Sequence, residues 1–168
     1  MISLVFLSAF PAALIIAALN DLYEFKIPNW VSLMMVASFF VAGIAMRAPA
    51  SAIFEATMIG FGALVVGFIL FARNIFGGGD AKLLAATVLW VGMPGLAGFL
   101  LNVALSGAVL AVVLIAFRKA PPMPFYAQAP WLLRLHQEPK DIPYAVAICA
   151  GGLLSFKQTL YFQLAFGG

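Results

Sequence analysis

Six carboxylates are spread over 168 residues, and two of them stand where an acidic side chain needs a reason. Asp21 closes the apolar run that begins at Ile2. Asp80 follows Gly77-Gly78-Gly79 and opens another apolar run. If the two meet, they can share a proton, one acting as base on a water and the other as acid toward a carbonyl oxygen. Peptide hydrolysis needs both roles. Each residue also has a plainer reading: Asp21 as a polar stop at a helix end, Asp80 as a helix cap after a flexible loop. Three glycines in a row allow positive φ and let another chain come close. Asp21 stands at the negative end of its helix and Asp80 at the positive end of its own. That difference predicts the resting proton on Asp21 and the base at Asp80.

The remaining polar residues offer less. Lys82 is near enough in sequence to steady a carboxylate, or it is a basic anchor at a membrane edge. Asp141, next to Lys140, reads as the cap of the last helix rather than a catalytic group. His136 reads as a lone, solvated loop residue. Cys149, the single cysteine, can make no internal disulfide and reads as a small core residue. No His, Cys or carboxylate cluster has metal-ligand spacing, and neither a metal nor a cofactor is expected. Gly60, Gly62 and Gly67 fit close helix packing better than ligand binding.

The elements that must hold these residues are membrane helices. The chain is 65% hydrophobic and 9% charged, with a mean hydropathy of +1.10. A soluble domain averages roughly 45–50% apolar and about 25% charged, so this chain's solvent is lipid. Spans are expected over residues 2–20, 30–46, 53–72, 81–94, 96–117 and 142–156. The predicted architecture is an all-α polytopic bundle of about six transmembrane helices in one domain, residues 1–168. Pro11 is a candidate kink in the first span. The fourth span is short for a full crossing, and the tail after Lys157 and Gln158 is expected at the interface. No Lys or Arg precedes the first apolar run, so it reads as a permanent helix rather than a cleaved signal.

The net charge of +3 forms no run suited to a nucleic-acid backbone, and no nucleic-acid partner is expected. Lys26, Arg73, Lys82, Arg118, Lys119, Arg134 and Lys140 fall on one side of the predicted topology. Arg47 and Lys157 fall on the other. The richer side is expected in the cytoplasm. Asp21, Asp80 and Asp141 lie on that side, as do Glu24, Glu138 and His136; Glu55 lies near the opposite face.

Three blocks then make a pattern. Gly77-Gly78-Gly79-Asp80, continued by Ala81-Lys82-Leu83, resembles the Gly-x-Gly-Asp motif of polytopic aspartyl proteases as type IV prepilin peptidases carry it. Asp21-Leu22, followed by Ile27-Pro28-Asn29-Trp30, is similar to that family's first-aspartate segment. Ile142-Pro143-Tyr144, with the small-residue run behind it, is similar to its final helix. The resemblance implies a catalytic pair at Asp21 and Asp80, with Gly77, Gly79, Lys82, Pro28, Asn29, Pro143 and Tyr144 as motif or supporting positions. It implies prepilin and pseudopilin substrates, with a cytoplasmic leader and an apolar stem in the bilayer of the bacterial inner membrane. The small size resembles the tight-adherence (Flp pilus) branch. Longer members insert a cysteine-rich domain after the first helix and N-methylate the product. Only residues 21–29 stand there in this chain, so no methyl transfer is expected. Many relatives place several basic residues between the first aspartate and Ile-Pro-Asn, where this chain has Tyr23, Glu24, Phe25 and Lys26. A small ion-coupled transporter and a non-catalytic assembly factor are the alternative readings; neither the prepilin nor the oligomeric state follows from the sequence.

Overall fold

Backbone N–H and C=O groups in lipid must be satisfied within the chain, and helices do this locally. The structure, a computed structural model, describes residues 2–121, 126, 129–137 and 142–167. Its helices are α1 (Ile2–Glu24), α2 (Asn29–Ala45), α3 (Ala50–Ala72), α4 (Gly78–Lys119), α5 (Pro130–Gln137), α6 (Tyr144–Leu154) and α7 (Leu160–Phe166). There is no strand among the described residues. By length and composition, α1, α3 and α4 are sufficient to cross a membrane; α2 and α6 are shorter apolar helices. The all-helical membrane bundle expected from composition is therefore the fold.

Several boundaries differ from expectation for identifiable reasons. Asp21 lies inside the last turn of α1 rather than beyond its end. The fourth and fifth predicted spans run on as α4, broken at Gly92, just before the expected boundary at Met93-Pro94. Gly92 has φ 68° and ψ −178°, a conformation essentially reserved for glycine. Pro94 follows it and supplies no N–H. α4 begins at Gly78, so Gly78 and Gly79 are helical, and Gly92 is the one glycine with positive φ among those described.

Positive φ also occurs at Phe25, Arg47 and Asn74, each just past a helix end. Two of these ends are Schellman motifs built without glycine. After α2, Ala48 N donates to Gly43 O at 2.9 Å and Arg47 N to Ile44 O at 3.3 Å. After α3, Ile75 N donates to Leu70 O at 3.0 Å and Asn74 N to Phe71 O at 2.9 Å. The turn after α3 returns α4 alongside it.

α4 is the central element, packed against α3, α6 and α2, while α1 packs against α6 and α2. The core is aromatic away from the Asp80 end. Phe10, Phe39, Trp90 and Tyr161 are fully buried, with ring centroids 5.1 Å apart for Phe39–Tyr161 and 5.3 Å for Phe10–Trp90 and Trp90–Tyr161. The two polar rings find backbone acceptors: Trp90 Nε1 donates to Met35 O at 2.9 Å and Tyr161 OH to Phe39 O at 2.6 Å. The tail after the last span, expected at the interface, has a structure of its own. α6 ends at Leu154, a 3₁₀ turn covers Phe156–Gln158, and α7 turns back to bury Tyr161 in the bundle. Cys149 is buried, as a core residue would be. The outward faces of α3 and of α4 beyond Gly92 expose Phe54, Phe61, Phe68, Leu101, Leu105 and Val112, as lipid contact requires.

Candidate active site

The three sequence blocks converge at one end of the bundle. Asp21 projects from the last turn of α1 toward the start of α6. The first amides of a helix have no intrahelical partner. Of those in α6, the N–H of Ala145 donates to Asp21 Oδ2 at 2.9 Å across 124 residues of sequence. Pro143 precedes this helix and lends no N–H of its own. Asp21 is 7% exposed. Its α1 turn is closed by Phe25 N donating to Asp21 O at 2.9 Å.

Asp80 sits in the first turn of α4, its side chain folded back over Gly77. The three glycines supply space there, not positive φ. A Cβ on Gly77 would lie 2.5 Å from Asp80 Oδ2, so any side chain there displaces the carboxylate. One on Gly78 would meet the Phe71 ring at 3.2 Å, and one on Gly79 would meet Ile27 at 3.1 Å. Gly79 thus lets the segment around Ile27 and Pro28 lie against the start of α4. The Ile-Pro-Asn block and the glycine–aspartate block are neighbours for that reason.

Both carboxyls line two adjoining cavities. One, about 630 Å³, is walled by Phe25, Ile75, Phe76, Gly77, Ile142 and Tyr144. The other, about 510 Å³, is walled by residues of the segment between α1 and α2, including Lys26, Pro28 and Asn29, and by Gly77, Gly78 and Gly79. The two carboxyls are close enough for their charges to interact. Asp80 Oδ1 is buried without a hydrogen-bond partner within the protein. An unpartnered buried oxygen is costly unless something arrives to use it. The phenyl ring of Phe76 meets the Tyr144 ring edge to face at 5.4 Å, forming one wall.

Each expected position has a definite place. Asp21, Asp80, Gly77, Gly79, Pro28, Asn29 and Tyr144 all contribute to these cavities. Pro143 is buried behind them. Lys82 is turned away: its Nζ donates to Asn29 Oδ1 at 2.8 Å, tying the start of α2 to α4. His136 is not a solvated loop residue. It lies in α5, edge-on to Phe117 at 5.2 Å, with its Nδ1 buried and unpartnered. Gly60 and Gly67 do permit close packing, against Leu89 and Ala81, whereas Gly62 faces open space. Asp141, Lys140 and Glu138 lie outside the described residues. Sequence reasoning missed Phe76 and the Ala145 amide. The second was signalled by its place in the first turn after Ile-Pro-Tyr. Among the described residues no three of His, Cys, Asp and Glu are placed to hold a metal ion.

A helical membrane bundle with two carboxyls facing shared cavities at one end defines a class of intramembrane protein with acid–base capacity. The chain matches the model of the type IV leader peptidase family over residues 8–112 and belongs to that family. The matched stretch includes Asp21, Pro28, Asn29 and residues 77–80; Pro143 and Tyr144 lie beyond it. No curated protein and no solved structure matches the chain. Membership gives the class: a membrane-embedded protease of the prepilin peptidase kind.

Proposed function

We propose that Asp21 and Asp80 are the catalytic pair, and that the protein cuts the leader from Flp-type prepilins and pseudopilins at the cytoplasmic border of the bacterial inner membrane. The observation that carries this reading is the meeting of the three blocks: Asp21 on the Ala145 amide, Asp80 over Gly77, and both lining the same cavities. Two carboxyls in one cavity resist ionising together and hold one proton between them. One draws a proton from water as the water oxygen bonds to the peptide carbon, and the other donates its proton to the carbonyl oxygen. The first then passes its proton to the departing nitrogen as the C–N bond breaks, and the second recovers one from the tetrahedral hydroxyl. No covalent intermediate is needed.

The helix-end argument for the resting proton changes. α1 and α4 point opposite ends at the pair, but a third end, the N-terminus of α6, also faces Asp21. Helix ends no longer separate the two carboxyls, so the proton belongs to the pair. The short segment between α1 and α2 supports an activity limited to hydrolysis, without methyl transfer. A proton-coupled transporter fits less well, since a relay needs polar stations across the bilayer and these carboxyls gather at one end.

The test is cleavage of a prepilin inserted in vesicles by the purified protein. Wild type releases the leader. Asp21→Asn and Asp80→Asn insert normally and lose about 10²–10⁴-fold in rate, the usual worth of a positioned acid or base. Near-normal cleavage by either variant removes that residue from the mechanism. Orientation is checked separately with a cysteine at Gln128, which external thiol reagents should fail to label in intact cells.

A further inference from the structure

The dyad accounts for the peptide bond but not for the rest of the substrate, and the structure offers a place for it. A third cavity, apolar and of about 500 Å³, runs between α3, both halves of α4 and the start of α6. Its lining includes Gly62, Ala63 and Val66 of α3 and Leu84 of α4, with no charged residue. Phe76 and Tyr144 line it as well, and the same two rings wall the larger cavity that holds Asp21 and Asp80. The apolar channel and the carboxyl site therefore share a wall. A chain whose scissile bond lies at the dyad can continue past the two rings into the apolar cavity.

From this continuity we infer that the α3–α4–α6 groove is the docking site for the apolar stem of the substrate, a single hydrophobic helix entering from the bilayer. The inference rests on the peptidase reading above. A second groove, about 590 Å³ between α2, α3 and α4, is the competing place. At its polar end the Lys82–Asn29 hydrogen bond stands between it and the dyad, so a chain leaving the dyad meets a charged side chain there rather than aromatic rings. Gly62 gives the preferred groove a further property. A Cβ added there meets no atom within 4 Å, so the glycine serves no internal packing contact. It leaves backbone surface open where another helix can approach closely.

Gly62→Leu tests the assignment, because the new side chain enters open space and replaces a poor helix former. The variant should fold as wild type, cut a short peptide that spans the leader junction but lacks the apolar stem at the wild-type rate, and show KM for vesicle-inserted prepilin raised about tenfold, ~1.4 kcal/mol of binding. A photo-crosslinker at Val66 in the Asp80→Asn protein should capture the prepilin stem; one at Leu33, in the competing groove, should not. Capture at Leu33 alone, lipid adducts alone at Val66, or unchanged KM in Gly62→Leu would each overturn the docking site while leaving the protease intact. Failure of wild type to cut either substrate would instead defeat the peptidase reading, and the docking site with it.

Discussion

The two ends of this bundle are built on opposite plans. Around Trp90 the rings of Phe10, Phe39 and Tyr161 fill the interior, and the indole N–H and phenol O–H each reach a main-chain carbonyl. Nearby, Asn102 Nδ2 donates to Ser155 Oγ at 3.1 Å. Around Asp80 the walls open into cavities of about 630 and 510 Å³, and a carboxyl oxygen is left without a partner. Lipid gives apolar side chains little reason to associate, so membrane bundles hold together by close packing and satisfied polar groups. The closed end supplies both. The open end gives up packing for a partly polar space that both carboxyls face. Stability and activity should therefore be separable by position along the helices.

The largest effect expected is on catalysis alone: Asp80→Asn should cost about 10²–10⁴-fold in cleavage rate with little change in unfolding measured in mixed detergent micelles. Trp90→Ala should do the reverse. It leaves a cavity worth on the order of 3 kcal/mol at ~24 cal/mol per Å³, seen as a clear fall in unfolding midpoint, while protein that remains folded still cuts. Gly92→Ala comes next. Its backbone sits where alanine is strained by about 1–3 kcal/mol, and the same unfolding assay should register the loss. Smallest is Tyr161→Phe, at about 0.5–1.5 kcal/mol, because the Phe39 carbonyl keeps its place inside a helix. A loss of cleavage in folded Trp90→Ala equal to that in Asp80→Asn would erase the distinction between the two ends.

The open end was far more legible in the sequence than the closed one. Charged residues are rare in this chain, so Asp21, Asp80 behind its run of three glycines, and the two Ile-Pro segments stand out against the apolar background. The resemblance of these segments to a known family then named candidate residues without showing how they touch. Why Gly77 must lack a side chain depends on how the Asp80 carboxyl folds back over it, and which amide Asp21 finds depends on a helix 124 residues away. The aromatic core was illegible because helices that are apolar on every side carry no contrast between buried and lipid-facing positions. Trp90 and Tyr161 read the same as exposed Phe61 and Phe68. The turns after α2 and α3 hid for another reason: Arg47 and Asn74 take a conformation usually marked by glycine. Lys82 was correctly placed beside Asp80 in sequence, yet helix rotation carries it to Asn29.

Whether Asp21 and Asp80 work as one unit is the claim on which the rest depends. The direct measurement compares single-turnover cleavage of vesicle-inserted prepilin by Asp21→Asn, Asp80→Asn and the double variant. Residues acting as a unit lose most of their effect at the first removal. The double variant should therefore be no slower than the slower single one. Losses that multiply, with the double variant slower by the product of the two, would mean that the aspartates act independently and that no shared-proton pair exists.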